Sequence, residues 1–341
     1  SWPWIFFINL PIIAVCLLIV PRVMKPFETR IVKQKIDIVG FILLVIGIGA
    51  LQVMLDTGRE KDWFASAEIV VLAVIAAIGI AAFVIWELTE EHPIVDIRVF
   101  RHRGFAAATA AISLGFGAFF AIVVMTPLWL QSIIGYTATQ SGYVVAWIGV
   151  LSVGLAPLAG KLLGKVDARI TVSAGVLVLG LAALARTSWS TDSDYWHLVW
   201  PHLMAGAGMP FFFIGLSSLA FASIDPRDAV SAAGIMSFLR TLAGAIGTAL
   251  ATTLWDTQAR ESRLQLAETM NGTQTALAQL QGLGMSLEQA RAYLERLLDV
   301  QAFTVSATHI YFLSASVFLA AAAAVWVIPK AEVSADFGAS H

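Results

Sequence analysis

Apolar residues run along this chain in long uninterrupted blocks, and the charged residues gather between them. Nine blocks stand out, at 3–20, 38–55, 69–86, 104–133, 139–160, 170–185, 198–224, 229–255 and 304–328. Their lengths approach or exceed the ~20 residues that a helix needs to cross a bilayer, and none shows the alternation of a barrel strand. A helix also satisfies its own backbone hydrogen bonds in lipid, so the pattern predicts nine membrane-spanning helices. From Gly104 to Gly160 there is no Asp, Glu, Lys or Arg in 57 residues. That is too long for one crossing, and the polar segment Gly135-Tyr136-Thr137-Ala138-Thr139-Gln140-Ser141-Gly142 divides it in two. The expected fold class is all-α, a polytopic membrane helical bundle.

Lysine and arginine set the orientation, because short cytoplasmic loops carry an excess of both. With the loop after the first block inside, thirteen basic residues fall on inner segments, including Arg22, Lys25, Arg30, Lys33 and Lys35. Seven fall on outer segments, Arg186 among them, and Arg240 lies within a span. Residue 1 is therefore expected outside and the C-terminus in the cytoplasm. The opening Ser1-Trp2-Pro3-Trp4 has no charged segment ahead of its apolar run and no small-residue cleavage site behind it. It is read as a span and not a signal peptide, and the chain as the later part of a larger membrane protein.

The segment 256–303 differs from the rest. Ser286-Leu287-Glu288-Gln289 has the capping-box pattern, and Leu287, Ala290, Leu294, Leu297 and Leu298 then recur at helical spacing among charged residues. An external amphipathic helix lying on the bundle is expected there, with Asn271-Gly272-Thr273 read as a loop. Composition narrows the function classes. Only 13% of the 341 residues are charged, against about 25% in a soluble domain, and the mean hydropathy is +0.81. A formal net charge of -2 gives no basic footprint for nucleic acid. The single Cys16 excludes an intrachain disulfide.

Enzyme signatures are scarce. His197 and His202 are five residues apart, on different faces of a helix, so no metal site is expected, and no cofactor motif or catalytic triad stands out. Arg240, by contrast, sits about ten residues into its span. An arginine near the bilayer centre costs roughly 2.5–3.5 kcal/mol on insertion scales and usually faces a bundle interior or a cavity. The stripe Ala243, Gly247, Ala251, with Gly244 beside it, allows close helix contact. Pro127, Pro157 and Gly206-Ala207-Gly208-Met209-Pro210 interrupt other spans, as in the bendable helices of transporters. The candidate substrate-binding residues are Arg240, Phe116, Phe120, Trp147, Met209, Phe212 and Phe238. The candidate gating or packing residues are Pro127, Pro157, Pro210, Gly244 and Gly247.

Four stretches together resemble a known family. Trp4-Ile5-Phe6-Phe7-Ile8-Asn9-Leu10-Pro11 is similar to its sixth span, and Leu55-Asp56-Thr57-Gly58-Arg59-Glu60-Lys61-Asp62-Trp63-Phe64 to the outer loop after its seventh. Pro127-Leu128-Trp129-Leu130-Gln131, with Gly135-Tyr136 and Gln140-Ser141-Gly142, resembles the hairpin that opens its C-terminal bundle, and Phe238-Leu239-Arg240 with Gly244, Gly247, Thr248 and Ala249 its thirteenth span. The family is the major facilitator superfamily, in its 14-span drug:proton antiporter group of the EmrB/QacA type. The resemblance implies spans six to fourteen of an incomplete major facilitator fold. It gives the last span of the N-terminal bundle at 1–20, a basic cytoplasmic loop at 21–36 and a two-span insert at 37–88. A C-terminal six-helix bundle at 104–329 follows, with the external segment at 256–303 and a cytoplasmic tail at 330–341. Gly164 stands where an Asp is usual in the inner-loop motif, Ser237 where Asn is frequent and Ala243 where Gly is frequent.

The function it implies is export of lipophilic or amphipathic compounds in exchange for protons by alternating access, across a bacterial inner membrane. A periplasmic adaptor and an outer-membrane channel are the implied protein partners. A transporter of one specific metabolite, a non-transporting membrane sensor and a lipid enzyme are the rival readings.

Overall fold

The structure, a computed structural model, describes residues 3–25, 37–90, 93, 95–163, 165–225, 228–269 and 273–328. Expectations that concern 26–36, Gly164, Asn271-Gly272 and the tail at 330–341 lie outside these residues. The chain separates into two units, one within 1–37 and one within 38–341. All regular structure among the described residues is helical.

In the first unit, α1 (Trp4–Phe7) and α2 (Asn9–Met24) are separated only by Ile8, itself in the right-handed helical region at φ -64° and ψ -23°. Pro11 has no N–H to donate to the carbonyl four residues back, which interrupts the ladder there. This is why, among the described residues, eight helices and not nine are long and apolar enough to cross a membrane, with Asn9–Val23 apolar but shorter.

The second unit opens with a hairpin, α3 (Ile38–Thr57) and α4 (Ala67–Thr89). Small residues bring the pair together: a Cβ placed on Gly47 would lie 2.9 Å from the backbone of Gly79. Within lipid such close backbone approach is the main source of helix association. The turn between them holds Asp62 and Trp63 at positive φ. Trp63 Nε1 donates to Thr253 Oγ1 at 3.1 Å and Arg59 pairs with Asp256, so the hairpin is tied to a later helix.

Six long helices follow: α5 (Arg103–Ser132), α6 (Ala138–Leu163), α7 (Ala168–Ala185), α8 (Tyr195–Phe221), α9 (Ala229–Thr269) and α11 (Leu287–Ala324), with the short α10 (Thr273–Gly282) between the last two. Asp167 and Asp194 cap α7 and α8 by accepting from Arg169 N and His197 N. Helix α5 packs along α8, α9 and α11, α7 along α8 and α11, and α6 along α8. Their shared core includes Ile112, Met125 and Trp129 of α5, Val176 of α7, Leu216 of α8 and Phe318 of α11. Helix α6 instead leaves Tyr143, Val150 and Val153 exposed, beside Gly142, Gly149 and Gly154, which nothing approaches within 4 Å.

The segment 256–303 is not a separate helix laid on the bundle. The capping box forms as expected, with Gln289 N donating to Ser286 Oγ and Ser286 N to Gln289 Oε1, but the helix it starts runs unbroken to Ala324. Helix α9 likewise continues to Thr269. No helix-breaking residue separates the amphipathic part of either helix from its apolar part, so each projects as one rod.

The tightest contact of the bundle is between α5 and α9. A Cβ on Gly247 would come within 2.2 Å of Gly117 O, and one on Gly117 within 2.9 Å of Ala243 O. Both obstacles are backbone and cannot rotate away. Gly247→Val is therefore expected to force the two helices apart and cost about 1–3 kcal/mol. Gly282→Ala, at a position with nothing within 4 Å, is expected to change stability by less than about 0.5 kcal/mol. Unfolding of the two purified variants in detergent, compared with the parent protein, checks both.

Candidate functional site

The α5–α9 contact decides what surrounds it. One and two turns before Gly247 on α9, Gly244 and Arg240 also face α5, and opposite them α5 presents Phe116 and Phe120. A Cβ on Gly244 would meet the Phe116 ring at 3.2 Å and the Phe120 ring at 3.4 Å, so the glycine is the floor on which both rings rest. The rings lie 4.7 Å apart. Phe213 of α8 closes the group edge-on, 5.6 Å from Phe116, and Phe119 joins it 6.4 Å from Phe213.

The Arg240 guanidinium carbon sits 5.2 Å from the centroid of Phe116. The negative face of a ring attracts a cation by about 0.5–2 kcal/mol, more as water is excluded. Arg240 is half-buried, and its Nε is enclosed without a hydrogen-bond partner among the described residues. This donor is not consumed by the fold, but it is enclosed, and Arg240 packs against the Phe116 ring without lining the cavity beside it.

Phe116, Phe120 and Gly244 form one wall of a cavity of about 630 Å³, which α3 completes with Gln52, Leu55 and Asp56 and the turn with Arg59 and Glu60. Thr241, Thr248 and Thr252 add hydroxyls from α9. Asp56 is not a bare charge, since Gln52 Nε2 donates to its Oδ1 at 3.0 Å. The volume lies in the range of small-molecule sites, which are mainly apolar with a few placed polar groups.

Other residues singled out from the sequence lie elsewhere. Phe212 is fully buried between α5 and α11, with Gly115 leaving room for its ring and Phe318 at 6.3 Å. Its neighbour Phe213 is the ring that reaches Phe116, a distinction of one residue, or 100° around a helix, which composition does not resolve. Trp147 donates to Tyr195 OH at 3.1 Å and meets Trp196, in a separate aromatic group. Met209 packs on the core, Phe238 is half-buried, and neither lines the cavity.

Helices α5, α6 and α8 run through Pro127, Pro157 and Pro210 without an assigned break. Pro210 is buried, Pro127 half-buried and Pro157 exposed. Gly206 serves packing: a Cβ there would lie 2.4 Å from Ile148 O of α6. No group of three or more His, Cys, Asp or Glu suited to a metal occurs among the described residues.

Sequence reasoning missed two buried charged residues. Arg186 was expected in an outer loop, yet it is 1% exposed. Glu87, at the end of α4, is also fully buried and accepts from Val95 N at 3.0 Å. Each stands at the edge of an apolar block, where periodicity gives no information on which face the helix buries.

A sequence model described as Major Facilitator Superfamily matches residues 1–248. The chain is 37% identical to the multidrug export protein EmrB of Escherichia coli K12 over 330 residues, 95% of this chain and 64% of that protein. It is 36% identical to EmrB of Haemophilus influenzae, over 100% of this chain and 67% of that protein. It is also 34% identical to the fatty acid resistance protein FarB of Neisseria gonorrhoeae, over 96% and 65% respectively. The chain thus spans about two thirds of the length of the curated relatives it matches. The eight apolar helices and all-helical bundle of its described residues agree with these similarities: the chain belongs to the Major Facilitator Superfamily of membrane transporters.

Proposed function

We propose that the protein to which this chain belongs exports lipophilic or amphipathic compounds in exchange for protons, across a bacterial inner membrane. The observation that carries this reading is the 630 Å³ cavity walled by the Phe116 and Phe120 rings, with Phe213 and the half-buried Arg240 packed against Phe116 behind that wall. Stacked rings accept many flat or oily molecules without demanding one shape. Multidrug export named for the EmrB relatives, and fatty acid resistance named for FarB, support the same substrate class.

Alternating access would come from rocking this bundle against the remaining part of the transporter, with the cavity between them. The face of α6 that carries Gly142 and Gly149 has the small residues such a sliding contact needs. In this reading the insert at 37–88 borders the cavity through Asp56 and Arg59, residue 1 is external and the C-terminus cytoplasmic. The projecting ends of α9 and α11 then lie on the periplasmic side, where an adaptor protein and an outer-membrane channel would be met.

Two experiments test this. In the complete protein, Arg240→Ala is expected to lower dye export by about two- to thirtyfold at equal expression, the range of the lost cation–π contact. Arg240→Lys is expected to retain part of the activity. Fluorescent-dye efflux with simultaneous vesicle pH measurement reads both, and wild-type export by Arg240→Ala removes the assignment. For orientation, Leu283→Cys and Val166→Cys are made in a Cys16→Ser background, both positions being exposed. The first is expected to react with a membrane-impermeant maleimide in spheroplasts and the second only after permeabilisation. The reverse pattern overturns the topology.

A further inference from the structure

The turn that joins α3 to α4 is folded tightly on itself. Gly58 N donates to Met54 O and Trp63 N to Gly58 O, both at 2.8 Å, which turns the segment back over the end of α3. The Trp63 ring then covers Gly58, where a Cβ would lie 2.8 Å from the ring. Lys61 pairs with Glu68 in the first turn of α4. Asp62 and Trp63 reach this shape at φ 53° and 51°, in the left-handed region that opposes a side chain, and a bulky one most of all. Residues strained in this way persist only where their surroundings hold them, and they gather at clamps and switch regions.

Here the holding partner is α9. Trp63 Nε1 donates to Thr253 Oγ1 at 3.1 Å. Arg59 meets Asp256 through two nitrogens, Nε to Oδ2 at 2.5 Å and Nη2 to Oδ1 at 3.2 Å. Thr253 and Asp256 are three residues apart and so share a face of α9, just beyond Thr252 at the end of the 630 Å³ cavity. A two-pronged bond to a carboxylate fixes direction as well as distance. The pair is also partly exposed, its side chains 43% and 26% accessible, and ion pairs in contact with water are weak. A contact that is specific in geometry, small in strength and set against backbone strain can open and re-form.

The cavity gives this contact its position. Arg59 and Glu60 of the turn line it together with Gln52, Leu55 and Asp56 of α3, so the turn forms its wall at the Thr252 end of α9. The chain leaving α4 is tied separately near the start of α9, where Asp96 N donates to Ser231 Oγ at 3.1 Å. We propose that the turn is a latch: Arg59 and Trp63 are positioning residues that hold the α3–α4 hairpin across this end of the cavity, and each transport cycle requires their contact with Asp256 and Thr253 to break and re-form. Closed, the latch keeps a compound from leaving between the turn and α9. Open, it exposes the Phe116 and Phe120 wall at that end. The inference rests on the cavity being the transport site, and in the orientation proposed above the latch closes its outer exit.

Two measurements on the complete transporter in a cysteine-free background test the latch. In the first, Trp63→Cys and Thr253→Cys are joined by a short bifunctional thiol reagent with a reducible link. Joining is expected to stop dye export and reduction to restore it, while either single variant treated with the same reagent keeps exporting. In the second, Thr248→Cys reports access to the cavity through its rate of reaction with a membrane-impermeant maleimide in spheroplasts. Asp256→Asn is expected to raise that rate about three- to fivefold, the upper range for a partly exposed ion pair, and the exchange Arg59→Asp with Asp256→Arg to return it towards the parent value. A purely structural tie would lower the yield of folded protein in Asp256→Asn without changing the labelling rate. Undiminished export by the joined variant, or equal labelling with and without Asp256→Asn, overturns the proposal. A parent protein that exports no dye instead removes the transport reading of the cavity, and the labelling rates, which need no transported compound, still decide whether the turn closes it.

Discussion

Everything at the large cavity follows from two backbones that touch. Gly117 O occupies the place where any side chain at Gly247 would begin. Helices in lipid gain little by burying apolar surface against each other, since the tails around them are equally apolar, so close packing and van der Waals contact hold the bundle. The α5–α9 contact fixes the rotation of both helices. It thereby aims Phe116 and Phe120 over Gly244 and brings Arg240 above the Phe116 ring. Separating the axes by one methyl group would lift the rings off their floor and change the cavity volume together with the cation–π distance.

The two enclosed arginines have opposite relations to their surroundings. Arg240 is half-buried behind the Phe116 wall of a space of about 630 Å³ lined by Asp56, Glu60 and several hydroxyls. Arg186 is fully enclosed beside about 20 Å³ with apolar walls. The same guanidinium therefore stands near an open space in one place and is fully enclosed in the other. The difference is one of dielectric and space, since both lie on the faces of aromatic rings.

Most of the fold was legible because lipid leaves so few options. Apolar blocks of sufficient length become helices, and the capping box at Ser286 marks a helix start whatever lies around it. The stripe containing Gly247 predicted a close contact from residue size alone. What was not legible depends on rotation about a helix axis. Phe212 and Phe213 are adjacent and equally apolar, yet one fills the core and the other faces Phe116. Arg186 follows the apolar block of α7 directly, and its position in sequence is that of a loop residue. Only the packing of Trp129, Trp189 and His202 around it shows that it is inside.

The length of α9 has a mechanical consequence. Its 41 residues make a rod of about 60 Å at 1.5 Å per residue, roughly twice the hydrocarbon thickness. The projecting part is braced against α11, where Trp255 Nε1 donates to Phe303 O at 3.1 Å and Arg263 pairs with Asp299. Arg240 and Arg263 are thus on one helix, about 35 Å apart along its axis. A tilt of about 5° at the cavity would displace the Arg263 end by about 3 Å, because no proline interrupts the helix between them. The orientation of α9 at the cavity and its position at the tip are coupled by the stiffness of a single helix, and the contacts to α11 join the two projecting ends.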